Sequence, residues 1–152
     1  MAANAFLVDT NVLIRWVQQQ DAAYPVVCGA ISQLLQSDAV LYYTSQNLGE
    51  FWNTLTRPTD RNGYGLSPKE ANELALEVET QIGLLPDSIH VHREWRKMLV
   101  DYGISGVQVH DARLVAAMRV HGVKRILTFN ARDFRRFTDV DAVLPENVIA
   151  GG

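Results

Sequence analysis

Short apolar segments alternate with amphipathic helical segments along nearly the whole chain, and this alternation restricts the fold more than any other feature. Apolar segments at residues 4–9, 39–43 and 125–128 predict strands, and residues 140–144 and 147–149 could add an edge strand. Strands that alternate with helices form a parallel sheet with helices on both faces. We therefore expect one α/β domain around a central parallel sheet of four to five strands, spanning residues 1–152. The predicted helices lie at residues 11–18, 24–36, 45–56, 67–82, 92–102, 110–121 and 130–137.

One segment is typical of a helix start, and another is typical of a loop. Residues Ser67–Glu70 place Ser at the cap, Pro at the first helical position and Glu three residues after the cap. This arrangement predicts a helix N-terminus with a capping box. Residues 57–65 are rich in Pro, Gly, Asn and Asp, and they predict a loop.

Composition excludes several classes of protein. Cys28 is the only cysteine, which rules out a disulfide framework and a cysteine-rich zinc site, and its apolar neighbours predict a buried, unreactive thiol. No apolar segment approaches the ~20 residues that a membrane-spanning helix needs. The N-terminus lacks the pattern of a secretory signal peptide, so we expect a cytoplasmic protein.

The overall charge gives no general attraction to nucleic acid. The net charge is −3 and the isoelectric point is about 5.7. The field of an acidic protein does not attract a polyanion. A nucleic-acid function would therefore require a local basic patch or bound cations.

Polar residues follow three of the predicted strands. Asp9, Thr44–Ser45 and the segment Thr128–Asn130 each stand where a strand ends. In open α/β sheets the functional site lies outside the carboxyl ends of the strands, so these residues are expected to converge. Asp9 also precedes a helix and has a second interpretation as its N-cap, although Thr10 and Asn11 could cap the helix equally well.

Three further acids have both a structural and a functional interpretation. Glu50 lies on the helix face opposite the apolar stripe, where it could be solvated or could form a capping box with Asn47. Asp111 shares a helical face with apolar residues and stands near a helix N-terminus, which favours an anion. Asp133 falls in the first turn of the short helix that Asn130 is predicted to cap.

Carboxylates that are brought together would repel one another, which raises the pKa of at least one of them unless a cation neutralises the charge. Oxygen ligands suit Mg²⁺ or Mn²⁺. Such ions orient a water molecule and stabilise the leaving oxygen in phosphoryl chemistry. They would also allow an acidic protein to hold a polyanion.

Four motifs in order resemble the PIN-domain signature. They are "FLVDTNVLI", "SQNLGEFWN", "VHDARLVAAM" and "ILTFNARDF", which contain Asp9, Glu50, Asp111 and Thr128, respectively. Their order, their spacing and the chain length are similar to those of the small bacterial VapC-type toxins of toxin–antitoxin pairs. The resemblance implies a helix-flanked parallel sheet and an endoribonuclease that depends on Mg²⁺ or Mn²⁺.

The resemblance also implies roles for individual residues. Asp9, Glu50 and Asp111 would be the metal ligands, Thr128 would orient the first acid or a water molecule, and Ser45 would support the site.

One position departs from the family pattern. Many relatives carry an acid two residues after the Thr, where this chain has Asn130. Asp133 would then supply that charge, which leaves the position of a second metal ion open.

Partners follow from the same resemblance, which implies a homodimer, an RNA substrate and a small antitoxin whose tail fills the active groove. Tyr64 and Trp52 could stack bases, although Trp52 lies on the apolar stripe and is better placed for the core. Four arginines could grip the RNA backbone or could belong to solvated helix faces with ordinary ion pairs: Arg113, Arg132, Arg135 and Arg136.

Rival functions stay open from the sequence. A phosphoacceptor or phosphatase domain also uses a strand-end Asp, but the dehalogenase type usually has a second acid where this chain has Asn11. A receiver domain would need a Lys after its last strands, and "ILTFNARDF" contains none. A catalytically silent PIN module that binds RNA or protein is a further alternative. The four histidines lack the spacing of a zinc site.

Overall fold

The computed structural model describes residues 4–151, which form one parallel sheet and its covering helices. Three-residue and four-residue 3₁₀ turns lie at Thr59–Arg61 and Ala131–Phe134. The strands and helices, in chain order, are β1 (Ala5–Val8), α1 (Thr10–Val17), α2 (Tyr24–Gln36), β2 (Val40–Thr44), α3 (Ser45–Thr56), α4 (Pro68–Gln81), β3 (Gly83–Leu85), α5 (Ile89–Asp101), α6 (Gln108–His121), β4 (Arg125–Leu127), β5 (Asp141–Val143) and α7 (Pro145–Gly151).

The five strands are parallel and lie in the order β3-β2-β1-β4-β5. The central strand β1 is buried on both faces, because its successive side chains point in opposite directions. Phe6 and Val8 belong to a core shared with α1 to α4, whereas Ala5 and Leu7 belong to a core shared with α5 and α6. The predicted parallel sheet with helices on both faces is confirmed, with five strands. The predicted domain of residues 1–152 extends beyond the described residues at both ends.

The structure corrects the sequence predictions at three places. Strand β3 was not predicted, because a three-residue edge strand beginning with Gly83 shows no periodicity. Residues 147–149 lie in helix α7 and not in a strand, and Pro145 stands at its first position, where Pro favours a helix start. The helix predicted at residues 130–137 is only the turn Ala131–Phe134.

Other local predictions are confirmed or refined. Ser67 and Glu70 form the predicted capping box, with two reciprocal hydrogen bonds of 3.1 Å. Trp52 packs against the core, as its place on the apolar stripe predicts. Cys28 is half-buried on α2 and not fully buried, because it faces a groove beside Trp16. Within residues 4–151, no helix combines the length and apolar character needed to cross a membrane.

Candidate active site

The carboxyl ends of the three central strands meet at one edge of the sheet. Asp9 directly follows β1, Thr44 ends β2, and Thr128 directly follows β4. The backbone N–H of Asp9 donates to the carbonyl of Leu127 at 2.9 Å, which holds the end of β1 against the end of β4. The strand-end residues therefore converge as the parallel topology requires.

Asp9 is buried, with 7% of its surface exposed, and it accepts three hydrogen bonds. The Thr128 hydroxyl donates to Oδ2 at 2.8 Å, the backbone N–H of Thr10 donates to Oδ1 at 2.8 Å, and the Asn11 amide donates to Oδ2 at 3.3 Å. Asp9 is the N-cap of α1 through one carboxylate oxygen, while the other oxygen accepts from Thr128. Its role as a cap is therefore compatible with a place in the site.

The pKa of Asp9 reflects this environment. Burial raises the pKa most, and the carboxylates of Glu50 and Asp133 raise it further. The hydrogen bonds from Thr128 and Thr10 oppose the rise without cancelling it. An anion at this position is thus disfavoured by its surroundings and would gain from a nearby cation.

Thr128 is fully buried and connects two segments of the site. Its hydroxyl donates to Asp9 and accepts a hydrogen bond of 2.9 Å from the backbone N–H of Asn130. The Asn11 side chain accepts a hydrogen bond of 3.2 Å from the backbone N–H of Phe129. These bonds fix the segment after β4 against the start of α1. The structure thus brings Thr128 to Asp9, and its catalytic role remains a prediction.

Glu50 points toward α1 from the half-buried side of α3. Its carboxylate accepts a hydrogen bond of 2.9 Å from the Thr10 hydroxyl, which in turn accepts one of 3.1 Å from the Asn47 amide. The capping box proposed between Asn47 and Glu50 is wrong, because the N-cap of α3 is Thr44 and its partner is Asn47. Ser45 is exposed at the first position of α3, and the buried polar contacts there belong to Thr44 and Asn47.

The Asn47→Ala variant is expected to lose about 2 kcal/mol of unfolding free energy, because it leaves the buried backbone N–H of Thr44 without its partner. Urea denaturation measures this loss. Asn53→Ala, on an exposed position of the same helix, is the matched control and should change the stability by less than about 0.5 kcal/mol. Equal stabilities for the two variants would show that the Asn47 contacts contribute nothing.

Asp111 lies in the first turn of α6 and is half-buried. Burial, followed by the carboxylates of Asp9, Asp133 and Glu50, raises the pKa of Asp111 to about 7. All four influences act in the same direction. The predicted acids from four separate segments are therefore close enough to repel one another.

Asn130 and Asp133 have different positions at the site. Asn130 begins the turn Ala131–Phe134, but its side chain makes no capping hydrogen bond, so the predicted side-chain cap is wrong. Its contact with Thr128 comes from the backbone. Asp133 is exposed in the turn, and its carboxylate raises the pKa of both Asp9 and Asp111.

The donor chemistry of these acids fits a hard cation, whereas their present arrangement does not yet form a coordination shell. Carboxylate oxygens are the ligands that Mg²⁺ and Mn²⁺ prefer. Within residues 4–151, no group of three His, Cys, Asp or Glu side chains stands where it could hold a metal ion. The Glu50 carboxylate is instead hydrogen-bonded to the Thr10 hydroxyl at 2.9 Å.

The predicted RNA-binding arginines lie around the same edge. Arg113 is half-buried two residues after Asp111, with Nη2 3.2 Å from Asp87 and Nη1 3.5 Å from Gln46. The other three are exposed in the turn after β4 or just beyond it: Arg132, Arg135 and Arg136. Contact with RNA and a solvated surface both fit these positions.

Two polar residues of the site were not predicted. Thr10 and Asn47 hold Glu50 in place through the chain of hydrogen bonds between α1 and α3. Sequence spacing could not show this contact, because Thr10 and Glu50 are 40 residues apart. The sequence offered one signal, which is that Thr10 and Asn47 lie within the motifs that contain Asp9 and Glu50.

Comparisons with known proteins agree with this fold. The chain is similar to VapBC2 from Rickettsia felis (13% identity, 92% of this chain and 98% of that chain, TM-score 0.66). It is also similar to VapC20 from Mycobacterium tuberculosis, which is described as a sarcin–ricin loop cleaving toxin. The two share 20% identity over 86% of this chain and 94% of that chain, with a TM-score of 0.63. A third similar structure is VapBC-1 from nontypeable Haemophilus influenzae, with 13% identity over 93% of this chain and 98% of that chain and a TM-score of 0.65. At these identities the likeness shows the fold alone.

A family model supplies the stronger result. No curated protein matches the sequence. The model of the PIN domain, however, matches residues 6–140, which include all four predicted acids and Thr128. This confirms the family resemblance drawn from the four motifs: the chain belongs to the PIN-domain family.

Proposed function

We propose that this protein is a metal-dependent endoribonuclease and the toxin of a type II toxin–antitoxin pair. The observation that carries the proposal is the gathering of Asp9, Glu50, Asp111 and Asp133, whose mutual repulsion helps to raise the pKa of Asp111 to about 7. Strongly perturbed acids at the carboxyl edge of a sheet are typical of a functional site.

Asp9, Glu50 and Asp111 are the proposed ligands of Mg²⁺ or Mn²⁺, with Asp133 adding negative charge nearby. When bound, such an ion neutralises the carboxylates, polarises the attacking water and stabilises the leaving oxygen of a phosphodiester. The residues of the chain prepare the site for this chemistry. Thr128 fixes the Asp9 carboxylate, while Thr10 holds Glu50.

The arginines are proposed to contact the RNA backbone, since a guanidinium matches the geometry of a phosphate. They supply the local positive charge that an acidic protein needs to approach a polyanion. They are Arg113, Arg132, Arg135 and Arg136.

The solved relatives support the toxin assignment. One is described as a sarcin–ricin loop cleaving toxin, and another is described as a toxin–antitoxin complex from Klebsiella pneumoniae. We therefore propose a cognate antitoxin as the protein partner. A homodimer is proposed from the family resemblance alone.

A catalytically silent PIN module is the second candidate. It is favoured by one observation, which is that no group of three metal-ligating side chains stands preformed within the described residues. Such a module would bind RNA or protein without cutting it.

Cleavage of a mixed RNA pool distinguishes the two candidates. The parent protein, purified under denaturing conditions to remove a bound antitoxin and then refolded, is expected to cut RNA with Mg²⁺ or Mn²⁺. It should stop cutting in EDTA. Asp9→Asn should abolish cutting while its circular dichroism stays unchanged.

Asp101→Asn is the control for loss of a carboxylate, since Asp101 pairs with Lys97 in an exposed ion pair on α5 and should keep full activity. A folded parent protein that does not cut would support the silent module. Cutting that persists in Asp9→Asn would contradict the assigned site.

The Thr128→Val variant is expected to cut RNA about 10- to 100-fold more slowly, which is the usual effect of removing a group that orients a metal ligand. Valine has a similar shape but no hydroxyl, so Asp9 loses its 2.8 Å hydrogen bond. Initial cleavage rates at saturating Mg²⁺ measure the effect. Thr128→Ser keeps the hydroxyl and should retain most of the rate, whereas equal loss in both variants would indicate a packing defect.

A further inference from the structure

A pocket of about 220 Å³ beside α1 adjoins the candidate active site through Asn11. Its walls include Asn11, Arg15 and Asp21 from α1 and the segment after it, and Thr54 and Tyr64 from the end of α3 and the following loop. Asn11 belongs to both regions, because its amide also donates to Asp9 at 3.3 Å. A ligand in this pocket would therefore be separated from the Asp9 carboxylate by the Asn11 side chain.

Tyr64 is held in place by the backbone of its loop. Its N–H donates to the carbonyl of Thr54 at 3.1 Å, and the N–H of Gly65 donates to the carbonyl of Arg57 at 2.8 Å. The loop passes so close to α3 that a Cβ on Gly63 would lie 2.0 Å from the Arg57 carbonyl oxygen. The backbone that carries the ring is thus fixed, and 37% of the residue is exposed to solvent.

The charges in the pocket nearly balance. Arg15 Nε lies 3.7 Å from the Asp21 carboxylate, and the guanidinium lies over the Phe129 ring at 4.8 Å from its centroid. Arg15 also donates to the backbone carbonyl of Asn11 at 3.2 Å. A phosphate entering the pocket would meet the Asp21 carboxylate, whereas a neutral ring would meet an aromatic side chain and both donors and acceptors.

A nucleobase has the properties that this pocket selects. It is neutral and planar, it stacks on aromatic side chains, and its edge carries hydrogen-bond donors and acceptors. The volume suits one ring system, since it is below the range of pockets for drug-sized ligands. An unpaired base can turn out into such a pocket without the cost of breaking a base pair.

We propose that this pocket binds one unpaired nucleobase of the RNA substrate, with the base stacked on Tyr64 and its edge facing Arg15, Asp21 and Asn11. The proposal rests on the proposed function in one respect, which is that the substrate is RNA. It adds that the RNA is single-stranded beside the scissile bond, and that Tyr64 positions the base without taking part in the chemistry.

Binding measured without turnover tests the proposal. The probe is a fluorescein-labelled, unstructured RNA of about ten nucleotides, titrated in EDTA and read by fluorescence anisotropy. Tyr64→Leu is expected to raise the dissociation constant about fivefold or more, the lower end of the effect of one base–aromatic stack. Tyr64→Phe keeps the ring and should bind like the parent.

Two controls separate a base contact from other effects. Tyr24→Leu removes a tyrosine from a separate pocket beside Trp16 and should leave the dissociation constant unchanged. An oligonucleotide of the same length with abasic sites throughout should bind the parent and Tyr64→Leu equally, because it keeps the phosphates and lacks the bases.

The proposal is overturned if the parent and Tyr64→Leu bind the RNA equally, or if the abasic ligand shows the same change as the RNA. A parent protein that does not bind the RNA at low ionic strength overturns it as well. Because these titrations contain no metal, their outcome is independent of the cleavage assay. If the protein binds RNA through Tyr64 but does not cut it, the base-binding proposal is supported and the proposed nuclease activity is contradicted.

Discussion

The Asp111→Asn variant is expected to resist urea better than the parent protein in EDTA, while its RNA cleavage falls by at least about 100-fold. The pKa of Asp111 is raised from 3.8 to about 7, so the folded state disfavours the charged carboxylate. Between these two pH values the unfolded chain has lost the proton that the folded chain still holds. The parent protein therefore loses stability as the pH rises from 3.8 to about 7, and does not regain it above that range.

Asparagine carries no charge, so the variant does not lose stability in this way as the pH rises. Above the pKa of Asp111 we expect the variant to be more stable by about 1 kcal/mol, within the usual gain from relieving an unfavourable charge. Urea midpoints measured across the pH range test this, with Asp101→Asn as the control acid on an exposed position. Mg²⁺ should then stabilise the parent more than the variant, because only the parent keeps all the proposed ligands.

A stability difference that does not change with pH would contradict the cause assigned to it. A variant that is less stable than the parent at every pH would show that Asp111 contributes favourable contacts. In either case burial of the Asp111 carboxylate and its repulsion by the other three acids would not dominate its contribution to stability.

The Arg119→Met variant is expected to lose about 2 kcal/mol of unfolding free energy, since hydrogen bonds to charged groups are among the stronger ones. Arg119 holds Asp139 with two hydrogen bonds of 2.8 and 2.9 Å, and it also donates to Glu94 at 3.2 Å and to the Tyr102 hydroxyl at 2.8 Å. These contacts join α6 to α5 and to the segment before β5. Methionine keeps part of the packing and none of the hydrogen bonds.

The pH dependence of this contribution identifies its source. The hydrogen bond from Arg119 holds the pKa of Asp139 below its usual value. The resulting stabilisation is present above the unfolded pKa and is lost as the pH falls through the lower, folded pKa. Urea midpoints of the parent should therefore approach those of Arg119→Met in acid.

Arg119→Lys provides the intermediate case, because an ammonium group keeps the charge but cannot make the two-pronged contact with Asp139. We expect its stability to lie between the other two. A difference of less than about 0.5 kcal/mol between the parent and Arg119→Met would place Arg119 among ordinary surface residues.

The elements of the fold that were predictable are those in which burial determines the pattern of apolar residues along the sequence. Helix α2 was predicted with the bounds that it has, residues 24–36, because its apolar side repeats at helical spacing. Strand β1 was predicted because a strand buried on both faces is apolar throughout. Strand β3 could not be predicted in this way, since its three residues are specified by pairing with β2 and not by a pattern of their own.

The candidate site was predictable to a similar extent. Acids that follow parallel strands must meet at one edge, so the convergence of Asp9 with the segment after β4 follows from the topology. The partners of Glu50 depend instead on how α1 packs against α3, and no local pattern encodes that contact. The capping box of α3, in contrast, was predictable, since the helix was predicted to begin at residue 45 and Thr44, directly before it, is a common N-cap residue.

The pairing of β1 with β4 has a consequence for protein synthesis. Thr128 lies 119 residues after the carboxylate that it holds, and Asp111 also belongs to the last third of the chain. A nascent chain that ends before β4 has Asp9 and Glu50 but lacks the strand and the hydroxyl that complete their surroundings. The candidate site therefore cannot assemble until the ribosome has synthesised Thr128, so the proposed activity would be absent from shorter nascent chains.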